Sequence, residues 1–119
     1  MDTMNQICHI EYEVTNIERA QAFYQGLFGW EFRQFMPEMV IFGQGENHIG
    51  GLMLVEHVTP GKSPSIWYKV ESLEECTAKA VKFGGTAPEE KHPVPGVGWS
   101  LSVYDPDGNQ VGLVQYDQP

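Results

Sequence analysis

Near the start of the chain, three side chains able to carry or move protons stand at alternate positions: His9, Glu11 and Glu13. An imidazole beside carboxylates suits general acid–base work, because its own proton affinity lies close to neutrality. A half-buried carboxylate next to it would hold its proton more tightly than one in water. At an offset of 56, the matching positions carry Ser65, Trp67 and Lys69: a hydroxyl, a flat aromatic surface and a cation. An indole there offers a platform for a flat ligand. The competing readings are packing for Trp67, and a solvated rim or pairing with Lys69 for Glu11 and Glu13. His48, His57 and His92 read as surface residues.

Other chemical patterns are incomplete. Asp105, Asp107 and Asn109 begin like a calcium loop, but Gly108 comes too early and Tyr116 stands where the closing Glu belongs. Pro95-Gly96-Val97-Gly98 is followed by no lysine or helix start and is not a phosphate loop. Cys8 and Cys76 have no His or cation spaced to activate a thiolate.

The elements that position these residues are repeated. Residues 10–29 lie on residues 66–85 without a gap, with identities at Ile10/Ile66, Tyr12/Tyr68, Val14/Val70, Glu18/Glu74, Ala22/Ala78 and Gly29/Gly85. Each copy opens with period-two alternation, the mark of a strand with one apolar face. Ile10, Tyr12 and Val14 take that face, so His9, Glu11 and Glu13 point the other way. A helix follows, with Asn16 or Ser72 as N-cap and Ala20, Phe23, Tyr24, Leu27 or Cys76, Ala80, Phe83 at helical spacing. Three shorter strands are predicted after each helix: near 31–35, 40–42 and 52–55, then near 86–88, 99–103 and 111–115. A hairpin loop spans Asp105–Asn109. The fold class is therefore α+β, βαβββ twice, in a single domain with modules at 1–60 and 61–119.

Of the 119 residues, 16 are acidic and 7 basic, a net charge of −9 with no run of Lys or Arg. Phosphate-backbone and anionic-membrane partners are disfavoured. No apolar stretch approaches the roughly 20 residues of a membrane span, and residues 1–6 do not resemble a secretory leader. With two cysteines and no disulfide framework, a cytoplasmic location is expected.

The order and spacing of His9-Ile10-Glu11-Tyr12-Glu13-Val14, Ala22-Phe23-Tyr24, Leu27-Phe28-Gly29-Trp30, Ile66-Trp67-Tyr68-Lys69-Val70, Phe83-Gly84-Gly85, Pro95-Gly96-Val97-Gly98-Trp99 and Asp105-Pro106-Asp107-Gly108-Asn109 resemble the vicinal oxygen chelate superfamily. That group includes glyoxalase I, extradiol dioxygenases and bleomycin-resistance proteins; Gly50-Gly51-Leu52-Met53 is similar to its small glyoxalase-like branch. The resemblance implies a cup-shaped mixed sheet with helices on the outer face and a central pocket. It also implies four metal-ligand positions, falling here on His9, Ser65, Gly112 and a place near Met53, with Glu56 close if the register slips. A divalent site needs about three or four N, O or S ligands. Serine and glycine break the set.

The expectation is a small-molecule-binding protein without a family-type metal site and without a cofactor. It takes an aromatic or hydrophobic ligand, with His9 and Glu11 as catalytic candidates. His9, Glu13, Met53, Ser65, Trp67 and Lys69 are the ligand-contacting candidates. The resemblance further implies a homodimer. A metal-dependent, glyoxalase-like lyase or isomerase using His9 and Glu56 with ligands from a second chain, and a non-catalytic interaction domain, are the rival readings.

Overall fold

The computed structural model describes residues 4–117, so the segment read as lacking a leader lies partly outside the described residues. The elements are β1 (Gln6–Val14), α1 (Ile17–Phe28), β2 (Glu31–Met36), β3 (Met39–Gln44), β4 (Asn47–Leu54), β5 (Ser65–Lys69), α2 (Leu73–Lys82), β6 (His92–Val94), β7 (Gly98–Tyr104) and β8 (Gln110–Tyr116). This is the expected α+β class, βαβββ twice. The chain forms two compact units, one of Cys8–Ser65 and one of residue 66 onward together with the residues before Cys8.

In the first unit the strands run β2-β3-β4-β1, with β1 parallel to β4 and the other pairs antiparallel. In the second they run β6-β7-β8-β5, with β5 parallel to β8. The same order therefore appears in both copies. A parallel pair needs a long crossover, and the segment holding the helix supplies it each time.

Each helix starts as its sequence dictates. Asn16 accepts from the Arg19 N–H and Ser72 from the Glu75 N–H, satisfying donors that the first turn leaves open. Gly29 ends α1 at φ +71°, a left-handed turn that other residues resist. Under α1 the core is Val40, Phe42 and Leu52, packed with Tyr12, Val14, Ile17, Ala20 and Tyr24. Under α2 it is Val70, Leu73, Leu101, Val103 and Leu113, with Tyr68, Cys76 and Ala80. Tyr12, Val14, Tyr68 and Val70 thus face the helices, and strand alternation turns His9, Glu11, Glu13, Trp67 and Lys69 to the opposite, open faces.

Two expectations are corrected. The strand predicted near 86–88 is only a single bridge, Thr86 to Tyr104. Pro88 has no N–H to offer a ladder, and Glu89 takes over, its carboxylate accepting from the Ser102 N–H and the Tyr104 hydroxyl. The edge strand β6 forms later, at His92–Val94. Nor does helical spacing bury every apolar residue: Phe23 is 61% exposed, Leu27 58% and Phe83 72%. Ile17, Ala20 and Tyr24 are the residues of α1 that pack against the buried core.

The pairing of β3 with β4 is irregular at one point. Phe42 lies opposite Gly50, but Gly43 lies opposite His48, so Ile49 is an extra residue in β4. Ile49 packs against the core. His48, paired with Gly43, is turned to the open face instead. Next to the bulge, β1 approaches β4 so closely that only glycine fits at position 50: a Cβ on Gly50 would lie 1.8 Å from the Ile10 carbonyl oxygen.

Candidate functional site

The site is built on the open face of the sheet in the first unit. Lateral pairing sets Glu31, Gly43 and His48 in one row and Arg33, Ile41, Gly51 and Glu11 in the next. Met39, Met53 and Glu13 form a third. His9 leans over Gly51, where a Cβ would come within 3.3 Å of both His9 Cε1 and Met39 Sδ. Gly43 has no room for a side chain either, because the Asn47 carbonyl stands where its Cβ would lie. A cleft of about 340 Å3 opens beside it, lined by Glu31, Arg33, Ile41, Gly43, His48 and the hairpin joining β3 to β4. That volume is at the small end of ligand pockets, roughly 300–1,000 Å3.

Beside the cleft runs a polar chain. His9 Nε2 is 3.2 Å from Glu11 Oε1, and His9 Nδ1 is 2.9 Å from His48 Nε2. The two imidazoles are nearly parallel, 15° apart, with centroids at 5.1 Å. The hydrogen-bond network assigns the protons. Ionised Glu11 can only accept, so His9 Nε2 donates to it; neutral His9 then accepts at Nδ1, and His48 Nε2 donates. With His9 neutral, both rings are Nε2–H tautomers, and His48 Nδ1 ends the chain as an unprotonated nitrogen. Burial, His9 and the Arg33 charge hold His48 below the ordinary imidazole pKa, keeping it neutral.

The sequence singles out His9 and Glu11, and the structure joins them directly. It does not bring Glu13 to them. Glu13 Oε1 accepts from the Thr59 N–H at 2.9 Å and its own N–H donates to Ser63 Oγ, so it fastens the segment after β4. Met53 is half-buried on the same open face. His48 and Arg33 were missed. Strict alternation sets His48 in step with Leu52, on the helix side; the extra Ile49 reverses it. The nearest sequence signal was Gly50-Gly51, which marks a possible bulge.

In the second unit Trp67 lies flat on Gly112: a Cβ there would be 2.4 Å from the indole Cδ2. Lys69 Nζ stands 5.3 Å from the centroid of the Tyr116 ring, a cation–π contact. Ser65 is half-buried at the start of β5. Neither thiol forms a disulfide, and burial pushes Cys76 up, away from the reactive thiolate.

A family model, the Glyoxalase/Bleomycin resistance protein/Dioxygenase superfamily, matches residues 6–113. The chain belongs to this superfamily. Solved structures agree at the level of fold. A hypothetical protein from Bacillus halodurans shares 18% identity at TM-score 0.75, covering 97% of this chain and 96% of that one. A superfamily member from Vibrio splendidus shares 15% at TM-score 0.69, covering 94% and 99%. Methylmalonyl-CoA epimerase from Mycobacterium tuberculosis shares 13% at TM-score 0.68, covering 99% and 93%. A comparison with curated proteins finds no match.

Metal-using members of the superfamily invite a test of fit, and the donors here fail it. The ligand position on Gly112 has no side chain and is covered by the Trp67 indole. His9 already has both ring nitrogens engaged, and Glu56 is exposed beyond the end of β4. Among the described residues, no group of three or more His, Cys, Asp or Glu is arranged to hold a metal ion.

Proposed function

We propose that this superfamily member binds a small, aromatic or hydrophobic molecule and exchanges a proton with it through the chain Glu11–His9–His48, without a family-type metal. The observation that carries the reading is the unbroken polar contact from His48, on the cleft, to the Glu11 carboxylate. When His48 Nδ1 takes a proton from a bound acid, its Nε2 proton passes to His9 Nδ1. His48 is left neutral in its other tautomer. The positive charge comes to rest on His9, against Glu11, where an ion pair stabilises it. Glu11 thus orients the imidazole and takes up its charge, while Met53 and Met39 supply apolar surface nearby. We assign Glu13 to holding Thr59 and Trp67 to covering Gly112.

The whole chain is proposed to act as one glyoxalase-like domain in a cytoplasmic homodimer. The exposed Phe23, Leu27 and Phe28 of α1 support self-association, and the charge of −9 argues against nucleic acid as a partner. Among the described residues, no helix is long and apolar enough to cross a membrane.

The test uses 4-nitrophenol, a flat acid whose ionised form is yellow. With chelator present, it should bind saturably and become more ionised when bound than free at the same pH. His9→Ala and His48→Ala should abolish the added ionisation. Absence of saturable binding, or ionisation unchanged in both variants, overturns the proposal. One equivalent of tightly held metal in the purified protein would favour the metal-dependent lyase or isomerase instead.

A further inference from the structure

The cleft says more about its ligand than the proton chain does. Its walls differ in charge. Arg33 is the one cation among the residues lining it, and among the described residues it makes no ion pair. Glu31 faces the hollow from the same strand, but its Oε1 is drawn toward the hairpin by the Gly45 N–H at 3.1 Å. Glu46 lies on the hairpin. Between the two ends lie Ile41, an apolar floor, and the backbone of Gly43. A ligand that matches this lining has an anionic group at the Arg33 end, a flat or apolar middle, and a hydrogen-bond donor toward the carboxylate end.

Resting on the proton-exchange reading, we propose that the molecule taken by this cleft is a small organic carboxylate bearing a hydroxyl group, with its carboxylate on Arg33. A guanidinium presents paired N–H donors in a plane that matches a carboxylate, and the pairing fixes the ligand's orientation as well as holding it. Position adds a second effect. Arg33 is one of the charges that hold His48 deprotonated. The other ionisable groups around His48 are His9 and Glu11 from β1, Glu31 from β2 and Glu46 from the hairpin. A bound carboxylate cancels the Arg33 charge and makes His48 more basic. The base at the end of the chain gains proton affinity when the correct ligand arrives.

Salicylate and salicylamide are the probes, alike in shape but differing in charge. Salicylate should bind the intact protein at least tenfold more tightly than salicylamide, with amide NMR shifts confined mainly to residues 31–33 and 41–48. Arg33→Gln should cut salicylate affinity by about tenfold or more and leave salicylamide unchanged, and Arg33→Lys should restore only part of it. Saturating salicylate should raise the His48 titration midpoint in the wild type and not in Arg33→Gln. Equal binding of the two probes overturns the proposal, as does salicylate binding indifferent to Arg33→Gln. The comparison of probes on the wild type does not depend on how the variants fold. If 4-nitrophenol is still ionised on binding, such a result removes the carboxylate assignment alone. If both fail, the functional reading falls with it.

Discussion

In the proposed proton relay the two histidines divide the labour of one base: His48 meets the cleft, His9 is to receive the charge, and Glu11 to hold it. Their protonation should be visible by NMR. His48 should titrate below the ordinary value near 6.5, because burial, the neighbouring His9 and the Arg33 charge oppose its protonation. A histidine whose folded pKa is depressed adds stability above its unfolded pKa, and that stability is lost as pH falls through the folded value. Arg33→Gln should move the midpoint of His48 upward; no movement would remove Arg33 from the account. In the second unit, Trp67 and Gly112 form a matched pair. Trp67→Ala should cost about 1–3 kcal/mol by denaturant midpoint, the scale for losing a large, partly buried aromatic contact. Gly112→Ala should cost less on that background than in the wild type, since the indole it would strike is gone. Equal costs would mean the backbone, not the ring, excludes a side chain there. Asp105 is another residue with a pH signature. Hydrogen bonds from the Asn109 side chain and backbone and from the Asp107 N–H hold its carboxyl below the usual range. Its contribution should be present above about pH 4 and fade as pH falls through the depressed value. Asp105→Ala should therefore lower Tm at neutral pH and flatten the acid side of the Tm–pH curve.

At the scale of elements, the caps and cores were legible because local chemistry dictates them. Asn16 and Ser72 occupy equivalent places in the repeat, and both close their first helical turn. Replacing either with Ala should cost about 1 kcal/mol in chemical denaturation. The face assignment of His9 was also legible, since Tyr12 and Val14 need a core and alternation leaves the other side to His9. Two things were not. The position of β6 depends on Glu89 reaching across to Ser102, a tertiary contact that no local pattern announces. His48 depends on the extra residue in β4, and period-two reasoning has no means of counting it. Gly50→Ala tests the close packing of β1 on β4 beside that irregularity. Its Cβ has no room against the Ile10 carbonyl, so stability should fall by about 1–3 kcal/mol or more, and the His9–His48 contact should be lost from NMR spectra. A neutral substitution would mean that β4 tolerates another register.

Across the whole molecule, the repeat is structural but not chemical. Both units carry the same strand order and the same capped helix, yet one open face bears imidazoles and carboxylates and the other an indole and an ammonium. Selection for folding acts on the apolar positions the copies share. The open-face positions are free to diverge, and there the identities end. The same scale holds the question of assembly. Phe23, Leu27 and Phe28 of α1 are each more than half exposed. Light scattering at micromolar concentration should report a dimer, and Phe23→Asp together with Leu27→Asp should dissociate it without lowering helix content. A monomeric wild type would refute the homodimer.

Ile49 sets the phase of the strand that carries His48. Counting from Leu52 back toward Asn47, every residue before it is displaced by half a period. Deletion of this one apolar residue would leave His48 directly before Gly50, still opposite Gly43 and still on the open face, now by plain alternation and without the bulge. Substitution scans would find Ile49 to be an ordinary packing residue. Its role lies in the count: with Ile49 in the strand, the bulge alone keeps His48 opposite Gly43, and the same chain paired evenly from Leu52 would turn the imidazole to the helix side.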